Sequence, residues 1–229
     1  MEILQSSEFW IGLLKIVWIN IILSGDNAVV IALAARSLPA DQQKKAILFG
    51  SGAAVVLRIA LTVVAVKLLA LPFLQIVGGL LLLYVGVQLL GGDDEDHHGG
   101  SEKSGLFAAV RTILIADLVM SLDNVIAVAA AAGGSTTLLV LGLAISIPLV
   151  VFGSTLMIKM MTRYPVIIVL GAALIGWVGG ETIMDDNVLH DALAAQPWLH
   201  YAAAVAGALF VVFVGKGLAA RSRGARATA

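Results

Sequence analysis

Seven times along this chain a run of about 20 predominantly apolar residues appears, each ended by prolines, glycines or charges. A helix needs about 20 such residues to cross the hydrocarbon core of a bilayer, and lipid obliges the backbone to pair its own polar groups. The runs read as helices at about Phe9 to Ala35, Ala46 to Leu71, Phe73 to Leu90, Leu106 to Ala132, Thr137 to Ile158, Val166 to Ile183 and Trp198 to Gly217. Alternation with a period of two is absent, which argues against an outer-membrane barrel. Leu38-Pro39 and Asp41 punctuate the end of the first span, Leu71-Pro72 the second, and Gly133-Gly134 the fourth. Composition agrees: 60% of residues are apolar and 13% charged, with mean hydropathy +1.01, against ~45–50% and ~25% in soluble domains. Soluble enzymes and nucleic-acid-binding proteins are excluded as classes. The expected fold is all-α, a polytopic membrane protein in one transmembrane domain over residues 1–229. The absence of cysteine removes disulfide frameworks, thiolate metal sites and thiol nucleophiles.

Charge sets the expected orientation. Arg36, Lys44 and Lys45 follow span one, Lys103 and Arg111 flank the link into span four, Lys159 and Arg163 follow span five, and Lys216, Arg221, Arg223 and Arg226 follow span seven. In a seven-span chain these lie on one side, facing Glu2, Glu8, Asp185, Asp186 and Asp191 on the other, with Lys67 the main exception. The positive-inside rule puts the N-terminus outside and the C-terminus in the cytoplasm. Glu2 and Glu8 are the reverse of a secretory signal's basic start, so span one reads as mature structure.

The chain also repeats itself. SGDNAVVIALAA (24–35) matches SLDNVIAVAAAA (121–132) at an offset of 97, and IVGGLLLLYVGVQ (76–88) matches VLGAALIGWVGGE (169–181) at an offset of 93. Spans one to three (about 9–90) therefore resemble spans four to six (about 106–183), with span seven (about 198–217) as an addition. A unit with an odd number of spans re-enters the bilayer from the opposite face, giving the inverted repeats typical of alternating-access transporters, whose sites lie near the midplane between repeats.

A charge in the centre of a membrane helix costs about 2.5 to 3.5 kcal/mol on insertion scales, so each one marks a paired or functional site. Span one carries Asp26 and Asn27, span two Arg58, span four Asp117, Asp123 and Asn124, and span six ends with Glu181. Helical spacing puts Asn20, Leu23, Ser24 and Asn27 on one stripe, and Asp117, Met120, Ser121 and Asn124 on the matching stripe of the second repeat. The candidate ion ligands are thus Asp26, Asn27, Asp117, Met120, Ser121, Asp123 and Asn124, with Arg58, Ser24 and Glu181 as supporting charge or gating residues. Carboxylate and amide oxygens, with no cysteine and no buried histidine, suit manganese, magnesium or calcium better than zinc or copper. Asp26, Asp117 and Asp123 against Arg58 leave roughly two negative charges for a divalent ion or two protons to neutralise. The plainer alternative, that Arg58 pairs with Asp117 or Asp26 as structural glue, accounts for one acid and leaves two. Gly25, beside Asp26, would let the helix open and lend carbonyls to an ion.

The link between spans three and four (about 91–104) gathers Asp93, Asp94, Glu95, Asp96, His97 and His98 between glycines. It reads either as a solvated cytoplasmic loop or as a weak metal-recruiting tether at the mouth. Asp185, Asp186, His190 and Asp191 read as an outward surface loop.

The paired motifs SGDNAVVIALAAR (24–36) and DLVMSLDNVIAVAAAA (117–132), with IVGGLLLLYVG between them, resemble the TerC family, in particular its short YjbE-type bacterial members. The resemblance covers nearly the whole chain. It implies a protein of the bacterial cytoplasmic membrane, grouped with LysE-type exporters, from a family named for tellurite resistance and implicated in manganese export. It also implies that Asp26, Asn27, Asp117, Asp123 and Asn124 bind the ion.

The favoured expectation is a secondary transporter, not an enzyme, that exports a divalent metal ion, manganese foremost, in exchange for protons. No P-loop is present, so ion gradients must supply the drive. No tightly bound cofactor is expected, and the partners are the ion, the lipid bilayer and, in a homo-oligomer, a second copy, with no nucleic acid. The alternatives are an exporter of another small cation or amino acid, which would want more aromatic residues than the 6% present, an intramembrane hydrolase pairing Asp26 with Asp123, and a stress-resistance scaffold that moves nothing.

Overall fold

The computed structural model describes residues 7–23, 25–69, 71–91, 102–132, 135–189, 196 and 198–227. Side chains at 7–9, 20–23, 63–69, 102–104, 123, 129 and 222–227 fall outside that description. The principal elements are α1 (Ser7–Leu23), α2 (Gly25–Ala35), α3 (Ala40–Leu69), α4 (Leu74–Gly91), α5 (Glu102–Ala132), α6 (Thr136–Arg163), α7 (Val166–Met184) and α8 (Trp198–Ala227). No strand occurs among the described residues. Six of these helices, α3 to α8, are long and apolar enough to cross a membrane. The first expected span is described as α1 and α2 on either side of residue 24, and neither alone has that length.

Boundaries follow local chemistry. Pro39 lacks an N–H and suits the entry to a helix, and its carbonyl accepts from the N–H groups of Gln42 and Gln43 at 2.8 and 2.9 Å. α3 therefore begins at Ala40, before the expected Ala46. Ser135 caps α6, its hydroxyl accepting from the Leu138 N–H at 3.3 Å. Pro148, inside α6, leaves the carbonyl one turn back without its usual donor. α8 runs ten residues past the expected Gly217 into the basic C-terminal segment.

The helices sort into two bundles. In the first, α4, α7 and α8 touch along glycine faces. A Cβ on Gly79 would lie 2.5 Å from the carbonyl oxygen of Gly179, one on Gly176 would lie 2.5 Å from that of Gly207, and one on Gly180 would collide with that of Ala203. Small residues of this kind bring membrane helices into backbone contact. In the second bundle α3 packs on α5, and α6 packs on α1, α2 and α3. Two of its glycines receive side chains: Gly50 faces Ile113 and Gly142 faces Ile16. Two matched glycines join the bundles. Gly78 of α4 receives Val119 of α5, and Gly171 of α7 receives Val29 and Leu33 of α2.

The expected surface loop after α7 is corrected at one residue. Asp186 is 1% exposed, and its carboxylate accepts from the N–H groups of Phe73 (3.2 Å), Gln75 (3.1 Å), Ile76 (3.4 Å) and Val188 (3.1 Å). It caps the N-terminus of α4, where the helix leaves donors without partners and the dipole favours an anion. Burial pushes this carboxyl up, but the four donors outweigh it and hold it below the usual carboxylate range. Phe73 enters that turn with φ of 65°, unusual for a residue with a side chain. At the opposite end of α4, the Arg36 guanidinium donates to the carbonyl of Leu89 at 2.8 Å, completing the charge pattern that the helix dipole favours. Asp185 lies 3.6 Å from His200, while His190 and Asp191 lie outside the described residues.

Candidate functional site

The second bundle holds a small cavity between α2, α3, α5 and α6 whose open surface is almost wholly apolar. Asn27 and Ile31 line it from α2, Ser51, Ala54, Val55 and Arg58 from α3, Asp117 from α5, and Leu143, Ser146, Ile147 and Val150 from α6. On α3 and on α6 alike the lining residues fall at i, i+3, i+4 and i+7, the signature of one helix face. About 30 Å³ is open to the centre of a water molecule. That holds one or two waters or a small dehydrated ion and is far below the pockets that enclose organic ligands.

Charge enters this cavity as a closed triangle. Arg58 Nη2 donates to Asp117 Oδ1 at 2.7 Å, Arg58 Nε donates to Ser121 Oγ at 3.0 Å, and Ser121 Oγ donates to Asp117 Oδ2 at 3.1 Å. All three are buried, at 5%, 7% and 0% exposure. Asp117 and Ser121 sit one turn apart on α5, which makes their mutual bond a consequence of helical spacing. Of the two partners the sequence left open for Arg58, the structure brings it to Asp117. Deleting one partner of a buried pair of this kind costs about 3–5 kcal/mol, because it leaves the other charge uncompensated.

Two serines also border the cavity. Ser146 Oγ donates to the Gly142 carbonyl at 2.9 Å, two residues before Pro148. Ser51 is 3% exposed, and its Oγ has no hydrogen-bond partner. Sequence reasoning missed both. No sequence signal marked them: they stand 95 residues apart, at neither offset of the two matched motifs.

The other expected ligands divide. Asn27 is buried on the cavity wall. Asp26 is half-buried, accepts from the Asn27 N–H at 2.7 Å, and lies within electrostatic range of Arg58 and Asp117. Met120 packs in the main apolar cluster with Val119, Ile113 and Ala116 and does not line the cavity. Asn124 is half-buried away from the lining, and Glu181 is half-buried on α7 in the other bundle. Ser24, the side chain of Asp123, and Asp93, Asp94, Glu95, Asp96, His97 and His98 lie outside the described residues. Among the described residues no three of Asp, Glu, His or Cys gather into a metal-holding group.

Comparison with known proteins places this geometry in a family. The profile described as "Integral membrane protein TerC family" matches residues 5–223. The chain belongs to the TerC family. Among relatives of this TerC protein, the uncharacterized membrane protein YjbE of Bacillus subtilis is 48% identical over 182 residues, covering 80% of this chain and 83% of YjbE. YkoY, also described as an uncharacterized membrane protein of Bacillus subtilis, is 26% identical over 83% of this chain and 65% of its own length. The UPF0053 inner membrane protein YoaE of Escherichia coli is 27% identical over 83% of this chain, which spans 40% of YoaE. No solved structure matches. The chain is thus an integral membrane protein with six described apolar helices of spanning length.

Proposed function

We propose that this TerC protein is a secondary transporter that exports a divalent metal ion, manganese foremost, across the bacterial cytoplasmic membrane in exchange for protons. The observation that carries the reading is the buried triangle of Arg58, Asp117 and Ser121 between helices of spanning length, beside a small cavity that Asn27, Ser51 and Ser146 also border. Carboxylate, amide and hydroxyl oxygens suit hard divalent cations. The cavity's size favours a dehydrated ion over an amino acid.

The same reading takes α1 with α2 as a seventh span, the N-terminus outside, and two inverted three-span repeats. The exchanged glycine contacts support the repeats. Gly78 and Gly171, matched at the offset of 93, each receive side chains from the opposite half, Val119 of α5 in one case and Val29 with Leu33 of α2 in the other. Asp26 and Asp123 join Asp117 as the acids that take up ion or proton, Asn27, Ser121 and Asn124 complete the ligand set, and the acidic-histidine segment 93–98 recruits ions at the cytoplasmic mouth.

Purified protein in liposomes under a pH gradient, supplied with manganese, calcium, magnesium or zinc, tests this. Manganese flux should follow the gradient and fall at least tenfold in Asp26→Asn and in Asp123→Asn. Undiminished flux in both variants, or no flux of any of the four ions, would overturn the reading.

A further inference from the structure

Arg58 meets its acid inside the protein, but a second arginine of the spanning helices turns the other way. Arg111 lies within the apolar stretch Gly105–Leu122 of α5, is exposed on the outer surface, and among the described residues makes no hydrogen bond or ion pair. α3 and α5 lie side by side and run in the same direction, since Gly50 and then Arg58 of α3 meet Ile113 and then Asp117 of α5. That register sets Lys45 of α3, exposed and equally unpaired among the described residues, about 4.5 Å nearer than Arg111 to the common start of the two helices. Deeper along the same outer surface stand the exposed side chains of Phe49, Val56 and Leu118. We infer that this outer groove between α3 and α5 binds an anionic phospholipid: Arg111 and Lys45 hold the headgroup phosphate, and the acyl chains lie along Phe49, Val56 and Leu118.

A charge on a spanning helix needs a counter-charge, and on the lipid-facing side the headgroups supply it. Arg111 starts about 9 Å from the level of Asp117 toward the start of α5, and its long stem carries the guanidinium on to the headgroup layer while its methylenes stay in the apolar zone. There the planar fork matches two oxygens of one phosphate, which a lysine ammonium does not. Net charge selects the headgroup. Lys44, Lys45 and Arg111 outnumber Asp41, the acid in the first turn of α3, so the site carries an excess of positive charge that a zwitterionic lipid leaves unbalanced. This surface is separate from the cavity, and its fit to lipid holds whether or not the bundle moves an ion.

The test uses the full chain purified in detergent, with dioleoylphosphatidylglycerol or dioleoylphosphatidylcholine added as the probe and bound lipid read by native mass spectrometry. Wild type should hold a phosphatidylglycerol about fivefold more tightly than a phosphatidylcholine, or better. Arg111→Gln should lose about fivefold in phosphatidylglycerol affinity and Lys45→Gln about twofold to threefold, with phosphatidylcholine binding unchanged in both. Arg111→Lys, which keeps the charge without the fork, should lose about twofold and serves in place of Arg111→Gln if that variant does not fold. Lys159→Gln removes an exposed cation at the same end of the molecule, near the end of α6, and should change nothing. Equal affinity of the wild type for the two lipids, or an equal loss in Lys159→Gln and the Arg111 variants, would overturn the site. Inorganic phosphate in excess should leave the lipid bound, and displacement by it would overturn the assignment to a lipid.

Discussion

The two bundles solve the problem of packing helices in lipid in opposite ways. In α4, α7 and α8 the backbones meet directly through Gly79, Gly176 and Gly180, and polar side chains that engage backbone sit at the helix ends, where Arg36 and Asp186 hold α4. In the bundle of α1, α2, α3, α5 and α6 the glycines admit isoleucine side chains, and the polar groups lie in the middle, around the cavity. Backbone-to-backbone contact has one geometry and resists change, whereas side chains and a hydrogen-bonded triangle have alternatives. The contrast separates a scaffold of backbone contacts from a bundle held by side chains within a chain of 229 residues.

The sharpest way to break the comparison is to add a side chain to each bundle. Gly180→Val should drive methyl groups into the Ala203 carbonyl and cost more than about 4 kcal/mol, leaving little folded protein. Gly52→Ala on α3 has nothing within 4 Å of the new Cβ and should be neutral or stabilising by up to about 1 kcal/mol. Thermal unfolding in detergent, followed by circular dichroism, reads both, and a tolerated Gly180→Val would end the scaffold assignment.

A middle-sized effect is expected at the end of the scaffold. Asp186→Asn should lower stability by about 1–2 kcal/mol at neutral pH, the scale of a lost helix cap. The sign with pH follows from the depressed carboxyl. Its contribution is complete above the ordinary value of 3.8 and is lost as pH falls through the lower folded value. The gap between wild type and variant should therefore be constant above about pH 3.8 and close as pH falls further, as Tm measured against pH will show.

The smallest stability effect belongs to the cavity. Ser51→Ala removes a buried hydroxyl with no partner, so Tm should hold or rise by an amount worth no more than about 1 kcal/mol. Metal flux should nonetheless fall several-fold, because the cavity loses an oxygen. Flux and stability that both stay unchanged would place Ser51 among residues of packing alone.

How much of this was legible beforehand varies with the range of the interaction. Hydropathy and punctuation located α4 and α7 to within a residue or two, since both signals are local. The need of Arg58 for an acid was readable from the cost of a charge in lipid, but choosing Asp117 over Asp26 required knowing that α3 packs on α5. Met120 shared a helical stripe with Asp117 and Ser121, yet a few tens of degrees of helix rotation put it among Val119 and Ala116. Asp186 was read as a loop acid because the donors it serves lie more than a hundred residues earlier, and no local pattern announces such a cap. Ser51 and Ser146 looked like ordinary small residues, and only the packing of α3 and α6 around the cavity sets them apart.

The fastening of α4 at both ends has a consequence for movement. A helix tied by Arg36 at one terminus and by Asp186 at the other, from segments that follow α2 and α7, cannot slide along its own axis. A shift of one turn, about 5.4 Å, would tear both ties at once, so α4 acts as a pinned axle. Any opening of the cavity would then leave α4 in its axial register while those two side chains hold.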